Sequence, residues 1–318
     1  MRESVAIILA CLAASALAET RVQEYPLPPR ISAHDVWADP APDGPVWFSG
    51  QGSGNAGRLD PKTGKVELIP LGDGSAPHGV ILGADGSAWF TDGGQNAIVR
   101  VDARTREVKK WPLPSGAGYA NLNTATFDKA GIHWFTGQSG IYGRLDPRTG
   151  AMKIFDAPRG RGPYGIHSAP DGAVYFASLA GSYVGRIDPA TDKLQVLEPP
   201  TRNQGARRVW PDSRGMIWVS EWSSGSLSRY DPKSGSWKTW KAPGSNPSVY
   251  AVYVDETDKV WVSEWDRQLM MRFDPVSEKW DSFSSSSHTA NVRQIHGRKG
   301  EVWTPESASG KLVVYRYR

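Results

Sequence analysis

Two histidines occupy equivalent positions in two similar segments of the chain. His34 lies in segment 32–36 and His78 in segment 76–80, and the two segments align around the histidine. A neutral imidazole can take up a proton near neutral pH, so a histidine pair of this kind is a candidate for acid–base catalysis. Asp35 could hold an imidazole in a fixed orientation. We predict that His34 and His78 are the catalytic residues and interpret the other four histidines as ordinary.

Aromatic residues recur at regular intervals along the chain, and several of them are followed three residues later by a carboxylate. Glu221 stands at one such position, and so do three further acids. Oxygen ligands are the ones that Mg²⁺ and Ca²⁺ prefer, although an acid could equally neutralise a nearby arginine. The predicted metal ligands are Asp92, Glu264 and Glu306.

Polar and aromatic side chains at related positions would suit a small organic ligand. Ligand pockets combine apolar and aromatic walls with a few polar groups that fix orientation. The predicted substrate-binding residues are Asn123, Tyr164, Arg207, Tyr250, Trp222, Trp265 and Arg293.

All these residues belong to a repeat of 41 to 45 residues. Its aromatic anchors are Trp47, Trp89, Trp134, Tyr175, Trp218, Trp261 and Trp303. Each unit reads as four short antiparallel strands, and in the second unit we predict strands at 78–82, 88–92, 97–102 and 108–111. Such a repeat is typical of propeller blades. The predicted fold class is all-β: a seven-bladed β-propeller of four-stranded antiparallel blades.

The two ends of the chain complement each other. Segment 22–27 resembles the strand that finishes each unit, whereas the chain stops after a third strand at 311–317. We therefore predict that the N-terminal strand joins the last blade and closes the ring, because closure hides the sheet edges.

The propeller would bring the candidate residues together. The first strand of a blade lines the central channel, and its start lies beside the end of the antiparallel second strand. Most candidates stand eleven residues before an anchor or a few residues after one. We therefore expect them to converge on one mouth of the channel.

Residues 1–18 have the pattern of a signal peptide, with an apolar stretch that ends in Ala-Leu-Ala. The prediction is a periplasmic or secreted protein whose residues 19–318 form one domain. The only cysteine, Cys11, lies in the predicted leader. A mature chain that begins after residue 18 would therefore have neither a disulfide nor a thiolate nucleophile.

The charge pattern is mild, with a net charge of +4 and alternating signs along the chain. It gives no reason to expect a nucleic acid partner or membrane insertion of the mature chain. We expect a monomer that acts on a small molecule and uses no organic cofactor.

Segments 76–80, 85–92 and 143–147 resemble the streptogramin B lyase (virginiamycin B lyase) family. The similarity covers essentially the whole mature chain through the repeat. It implies linearisation of a cyclic depsipeptide by β-elimination, in which a base removes a Cα proton and the ester oxygen leaves from Cβ.

The resemblance also implies site residues. His78 would be the base, His34 the second histidine, and Asp92 one ligand of a Mg²⁺ ion that polarises the substrate carbonyl. Ala76 stands where the family's first acidic ligand is expected.

Two other functions remain open at this point. One is a metal-dependent lactone hydrolase that uses Ca²⁺ to activate water. The other is a non-catalytic periplasmic binding or scaffold propeller.

Overall fold

The structure is a computed structural model that describes residues 20–285 and 287–317. The predicted signal peptide, with Cys11, lies outside the described residues.

The described chain forms seven sheets of four antiparallel strands, which confirms the predicted fold class. The strands in chain order are β1 (Arg21–Pro26), β2 (Val36–Ala38), β3 (Val46–Gly50), β4 (Asn55–Leu59), β5 (Val66–Pro70), β6 (Pro77–Leu82), β7 (Ala88–Asp92), β8 (Ala97–Val101), β9 (Val108–Pro112), β10 (Leu122–Phe127), β11 (His133–Gly137), β12 (Ile141–Leu145), β13 (Met152–Asp156) and β14 (Pro163–Ser168). They continue with β15 (Val174–Ser178), β16 (Tyr183–Asp188), β17 (Lys193–Leu197), β18 (Ala206–Pro211), β19 (Ile217–Glu221), β20 (Ser226–Tyr230), β21 (Trp237–Lys241), β22 (Val249–Val254), β23 (Val260–Glu264), β24 (Leu269–Asp274), β25 (Lys279–Ser284), β26 (His296–Arg298), β27 (Glu301–Glu306) and β28 (Lys311–Arg316).

Blade 1 contains β2–β5, and each later blade takes the next four strands until blade 7. Blade 7 has the order β1-β28-β27-β26, so the first strand of the chain completes the last sheet. The register runs from Arg21 opposite Arg316 to Pro26 opposite Lys311. The predicted ring closure is thereby confirmed.

The aromatic anchors pack between blades. Trp47 of blade 1, for example, shares a buried cluster with Val80 and Phe90 of blade 2. Trp303 of blade 7 packs in the same way with Phe48 of blade 1. Large apolar side chains at a fixed period therefore join successive sheets, and their removal from water stabilises the ring.

Five of the seven inner strands carry a β-bulge near the start. The pairing shifts between Pro77 and Gly79 in β6, and at the matching places in β10, β14, β18 and β22. At a bulge two residues oppose one residue of the partner strand. Side chains normally alternate between the two faces of a sheet, and the bulge changes the direction of one of them. Each bulge lies at the residue that the sequence places at the channel mouth.

The single helical element described is a short 3₁₀ turn at Ser115–Ala117. Across residues 20–285 and 287–317, no helix has the length and apolar character needed to cross a membrane.

Candidate functional site at the channel mouth

One residue from each blade contributes to a ring of side chains at one mouth of the channel. We call it the mouth ring; its members are His34, His78, Asn123, Tyr164, Arg207, Tyr250 and Arg293. All but Asn123 make ring or cation contacts with other site residues, and Asn123 makes a hydrogen bond to His78. The inner strands place them, because most inner strands pack against those of adjoining blades.

The two histidines are in contact. The ring centroids of His34 and His78 are 4.0 Å apart, with an angle of 51° between the ring planes. The side chain of His34 keeps 12% of its surface exposed, whereas His78 is buried. One imidazole therefore faces the solvent and the other lies behind it.

Asp35 fixes the orientation of His34. Its Oδ1 lies 2.9 Å from His34 Nδ1, so that nitrogen donates a proton to the carboxylate and Nε2 carries the lone pair of the neutral ring. Arg208 Nη2 lies 3.2 Å from the same oxygen in a buried ion pair. Burial alone would raise the pKa of Asp35, but Arg208 and His34 together hold it well below its ordinary value.

His78 is held in its neutral form. Burial lowers the pKa of His78 well below its ordinary value, and the neighbouring His34 lowers it further. Asn123 Nδ2 lies 3.2 Å from Nε2, and the amide oxygen of Asn123 accepts a hydrogen bond from Thr124. The amide nitrogen is therefore the donor, so Nε2 is the basic atom and the proton lies on Nδ1.

Aromatic side chains surround Arg207 on the opposite side of the ring. The Arg207 guanidinium carbon lies 3.4 Å from the centroid of the Tyr250 ring and 4.4 Å from that of Trp222. Trp265 stacks on Tyr250 at 5.1 Å, and the Arg293 guanidinium lies 4.9 Å from Trp265. The predicted binding residues on this side therefore form one continuous wall.

Two tyrosine hydroxyls meet inside that wall. The oxygens of Tyr164 and Tyr250 are 2.6 Å apart, and Arg207 Nη2 donates to Tyr164 at 3.2 Å. Burial raises the pKa of Tyr164 to about 12. Burial would also raise the pKa of Tyr250, but Arg207 and Arg208 lower it below the ordinary value. The positive charge of the arginines therefore dominates this half of the ring.

Two of the predicted metal-binding carboxylates are engaged in the turns that follow their own strands. Asp92 is buried and accepts hydrogen bonds from the backbone N–H groups of Ala76 and Gln95 and from the Ser75 hydroxyl. Glu264 accepts the N–H groups of Asp266 and Arg267 and forms an ion pair with the Arg267 side chain.

The other two acids at these positions accept hydrogen bonds from serines. Glu306 accepts the hydroxyls of Ser285, Ser287 and Ser309. Glu221 accepts two serine hydroxyls, and its burial raises its pKa.

The donor set beside His78 does not fit Mg²⁺ or Ca²⁺. Within the described part of the chain, one group of three His, Asp or Glu residues brings its ligand atoms within 4.8 Å of one another: His34, Asp35 and His78. Two of its three ligands are imidazoles, and its carboxylate is already paired with Arg208, whereas both cations require several oxygen ligands.

A second layer of side chains, which the sequence interpretation missed, lies three residues further along the inner strands. Trp37 stacks on His296 at 3.7 Å, and His167 lies 4.1 Å from Trp210. The cavity at this level has a volume of about 20 Å³, room for about one water molecule. This layer closes the channel below the mouth. A constant spacing of three residues from the mouth ring was the signal that could have revealed it.

A cavity of about 310 Å³ opens beside the histidines. His34 and Arg293 line it, together with the polar residues Ser32, Gln51 and Asn291. The pocket is thus polar and brings the His34 imidazole and the Arg293 guanidinium to one surface at the channel mouth.

Fold and site together define a seven-bladed β-propeller with an imidazole pair at one end of its channel. The chain belongs to the virginiamycin B lyase family, whose sequence profile matches residues 11–272. No match was found among curated proteins.

Solved structures share the fold. A streptogramin B lyase is 21% identical, with a TM-score of 0.85 over 94% of this chain and 98% of that one. A selenomethionine-substituted virginiamycin B lyase from Staphylococcus aureus is 19% identical, with a TM-score of 0.86 over 94% of this chain and 100% of that one. A catalytically inactive histidine-to-alanine variant from the same organism, with quinupristin, has the same identity, TM-score and coverage.

Proposed function

We propose that this protein is an exported carbon–oxygen lyase that opens a cyclic ester of the depsipeptide kind by β-elimination. The observation that carries the proposal is the contact between two imidazoles at the channel mouth, one oriented by a carboxylate and the other neutral. Family membership supports it, and so does the loss of activity of the Staphylococcus aureus relative in a histidine-to-alanine variant.

His78 is the proposed base. Its Nε2 stays unprotonated at neutral pH because burial disfavours the charged ring. The Nε2 lone pair accepts the Asn123 amide N–H, and a bound substrate takes the place of that donor in the proposed reaction. Nε2 takes the Cα proton, the electron pair of the C–H bond forms the Cα=Cβ double bond, and the Cβ–O bond breaks with its electrons on oxygen. The leaving group is a carboxylate, which needs no proton at neutral pH.

His34 is the proposed partner that returns His78 to its neutral state. It contacts the buried ring of His78 and lines the 310 Å³ cavity, and its Nδ1 is fixed by Asp35. A proton on His78 can therefore pass to Nε2 of His34 and on to solvent. Asp35 is a positioning residue in this scheme.

The substrate would lie across the mouth ring. The reacting ester faces the histidines, and the remainder contacts the wall on the opposite side. The residues proposed to bind it are Asn123, Tyr164, Arg207, Tyr250, Trp222, Trp265 and Arg293.

The two other functions find less support. A hydrolase that used Ca²⁺ would need carboxylates converging on the histidines, and Asp92, Glu264 and Glu306 accept hydrogen bonds from the turns that follow them instead. In a purely binding protein we would expect the imidazoles to bond main-chain carbonyls, but His78 contacts the Asn123 amide and His34 contacts Asp35.

Alanine variants of the two histidines test the proposal. We expect His78→Ala and His34→Ala each to lower turnover of a cyclic depsipeptide by about 100-fold or more, because proton transfer contributes about that much. His288→Ala changes an exposed histidine and is the matched control. Melting temperatures show whether each variant is folded. Unchanged turnover in folded His78→Ala would reject the proposal.

A further inference from the structure

Two arginines of the mouth ring have no acidic partner. Arg208, the neighbour of Arg207, is paired with Asp35, and Arg267 is paired with Glu264. Arg207 and Arg293 make no ion pair with any carboxylate among the residues that the structure describes. Both side chains are only partly exposed, so each keeps a charge near apolar surface without local compensation.

The donors of Arg207 are largely unused. Its guanidinium carbon lies 4.8, 4.4 and 3.4 Å from the ring centroids of Tyr164, Trp222 and Tyr250. One Nη2–H donates to Tyr164, while the buried Nε has no hydrogen-bond partner within residues 20–285 and 287–317. A planar guanidinium with a free edge matches the two oxygens of a carboxylate.

Arg293 connects this wall to the reaction pocket. It packs against Trp265 and also lines the cavity that contains His34. The order around the ring is therefore Arg207, Tyr250, Trp265, Arg293 and then the histidine pair. A ligand could lay an aromatic face on the half-buried indoles and still reach a guanidinium.

Two carboxylates near the mouth ring are already paired with other arginines. Asp35 and Arg208 cancel each other, as do Glu264 and Arg267. His78 is neutral, and burial raises the pKa of Glu221.

We propose that the ligand of this site is an aromatic carboxylate, with its ring against Trp222 and Trp265 and its anionic group on Arg207 and Arg293. This proposal rests on the proposed function in one respect: it takes the ligand of this site to be the substrate of the lyase. It narrows the cyclic esters that the enzyme accepts to those with a negatively charged, aromatic portion.

A matched pair of small probes tests the charge requirement directly. Indole-3-acetate and indole-3-acetamide share the ring and differ in the anionic group. We expect calorimetric titration to show about tenfold or greater preference for the acid, as hydrogen bonds to charged groups imply. The preference should weaken as salt screens the charges.

Variants locate the preference. Arg207→Gln and Arg293→Gln should each bring the affinities for acid and amide together, whereas Arg207→Lys should retain part of the difference. Arg229→Gln is the matched control, because Arg229 also lies against two tryptophans, at 5.5 Å from Trp218 and from Trp240, but on the third strand of its blade. The control should keep the full preference.

Binding and catalysis separate the two proposals. Indole-3-acetate should still bind to His78→Ala, because the carboxylate site does not include His78. A wild-type protein that binds the acid but eliminates no cyclic ester would reject the lyase and leave the carboxylate site. Equal affinity for acid and amide, no binding of either, or a preference that survives in both Arg→Gln variants would overturn the carboxylate site whatever the turnover.

Discussion

The two histidines of the pair have different surroundings, and their proposed roles follow from that difference. His78 is buried, neutral and in contact with Asn123. His34 is partly exposed and bonded to Asp35. A base that must stay unprotonated is favoured by burial, whereas a group that exchanges protons with solvent must reach it.

Asp35→Asn tests the positioning of His34. The amide cannot neutralise Arg208, so a buried guanidinium loses the carboxylate that it pairs with. We expect the free energy of unfolding to fall by about 3 kcal/mol. We expect kcat to fall and KM to change less, because Asp35 positions His34 and does not contact the substrate. Denaturant unfolding and steady-state kinetics measure the two effects.

Asp60→Asn is the control for that variant. Asp60 lies in a turn, where its Oδ1 accepts the N–H of Lys62, and an amide oxygen can do the same. We expect its stability to stay within about 0.5 kcal/mol of the wild type. An Asp35→Asn protein that equals the wild type in both stability and kcat would contradict the positioning role.

Sequence spacing predicted which residues reach the mouth but not what their side chains do there. Counting from the anchors places His78 and Arg207 at the mouth because the repeat fixes backbone position, whereas His34 follows from the alignment of segment 32–36 with segment 76–80. The same counting places Asp92 and Glu264 at the end of a strand, yet the N–H groups of the following turn bind their carboxylates. Side-chain direction depends on those local donors, which spacing does not encode.

The sequence predicted the strand bounds of a regular blade, but it did not predict the bulges in the inner strands. The second unit matches its four predicted strands to within one residue at each end. The bulges escaped prediction because a bulge is defined by pairing with a neighbouring strand. They turn residues three apart on the inner strand toward the same channel, which explains the second layer below the mouth ring.

His133 is an unusual element of strand β11. It is fully buried next to the anchor Trp134, where the equivalent residue of blade 5 is Ile217. Neither ring nitrogen has a hydrogen-bond partner among the described residues, and burial lowers its pKa to about 3. The native ring therefore stays neutral over a pH range in which the unfolded chain gains a proton.

His133→Ile should stabilise the protein, and more so in acid. Removing unpartnered buried polar atoms favours folding by about 1 kcal/mol. The ordinary pKa of histidine is 6.5, so below that pH the unfolded wild type binds a proton at His133 that the native protein does not bind. The stability of the wild type therefore falls as the pH is lowered from 6.5 toward about 3. The gain of the variant should thus be larger at about pH 5 than at about pH 8.

Thermal or denaturant unfolding at both pH values measures that gain. His288→Ala, at an exposed position, should show no such pH-dependent difference. The same gain for His133→Ile at both pH values would contradict the account of this buried ring.

For the whole molecule, closure of the ring by β1 joins the two ends of the described chain. Tyr25 in this strand is buried, lies 5.3 Å from the ring of Trp303 and donates a hydrogen bond to the carbonyl of Pro61. It therefore connects blade 7 to blade 1 across the closing seam. The sequence predicted this closure because segment 22–27 has the pattern of a final strand.

Tyr25→Ala should weaken the seam. Loss of a buried aromatic side chain costs about 3–5 kcal/mol, so we expect a clearly lower denaturation midpoint. Val22→Ala in the same strand is the control, because Val22 is 48% exposed and should change little. Equal midpoints for the two variants would show that the seam does not limit stability.

The central claim is that the imidazole pair at the channel mouth carries out an elimination. Mass spectrometry of the products from a panel of cyclic esters that begins with quinupristin tests it most directly. We expect a product of unchanged mass with a new double bond, formed by the wild type and lost in folded His78→Ala and His34→Ala. A product heavier by one water, no product from any ester, or undiminished product from both variants would contradict the claim.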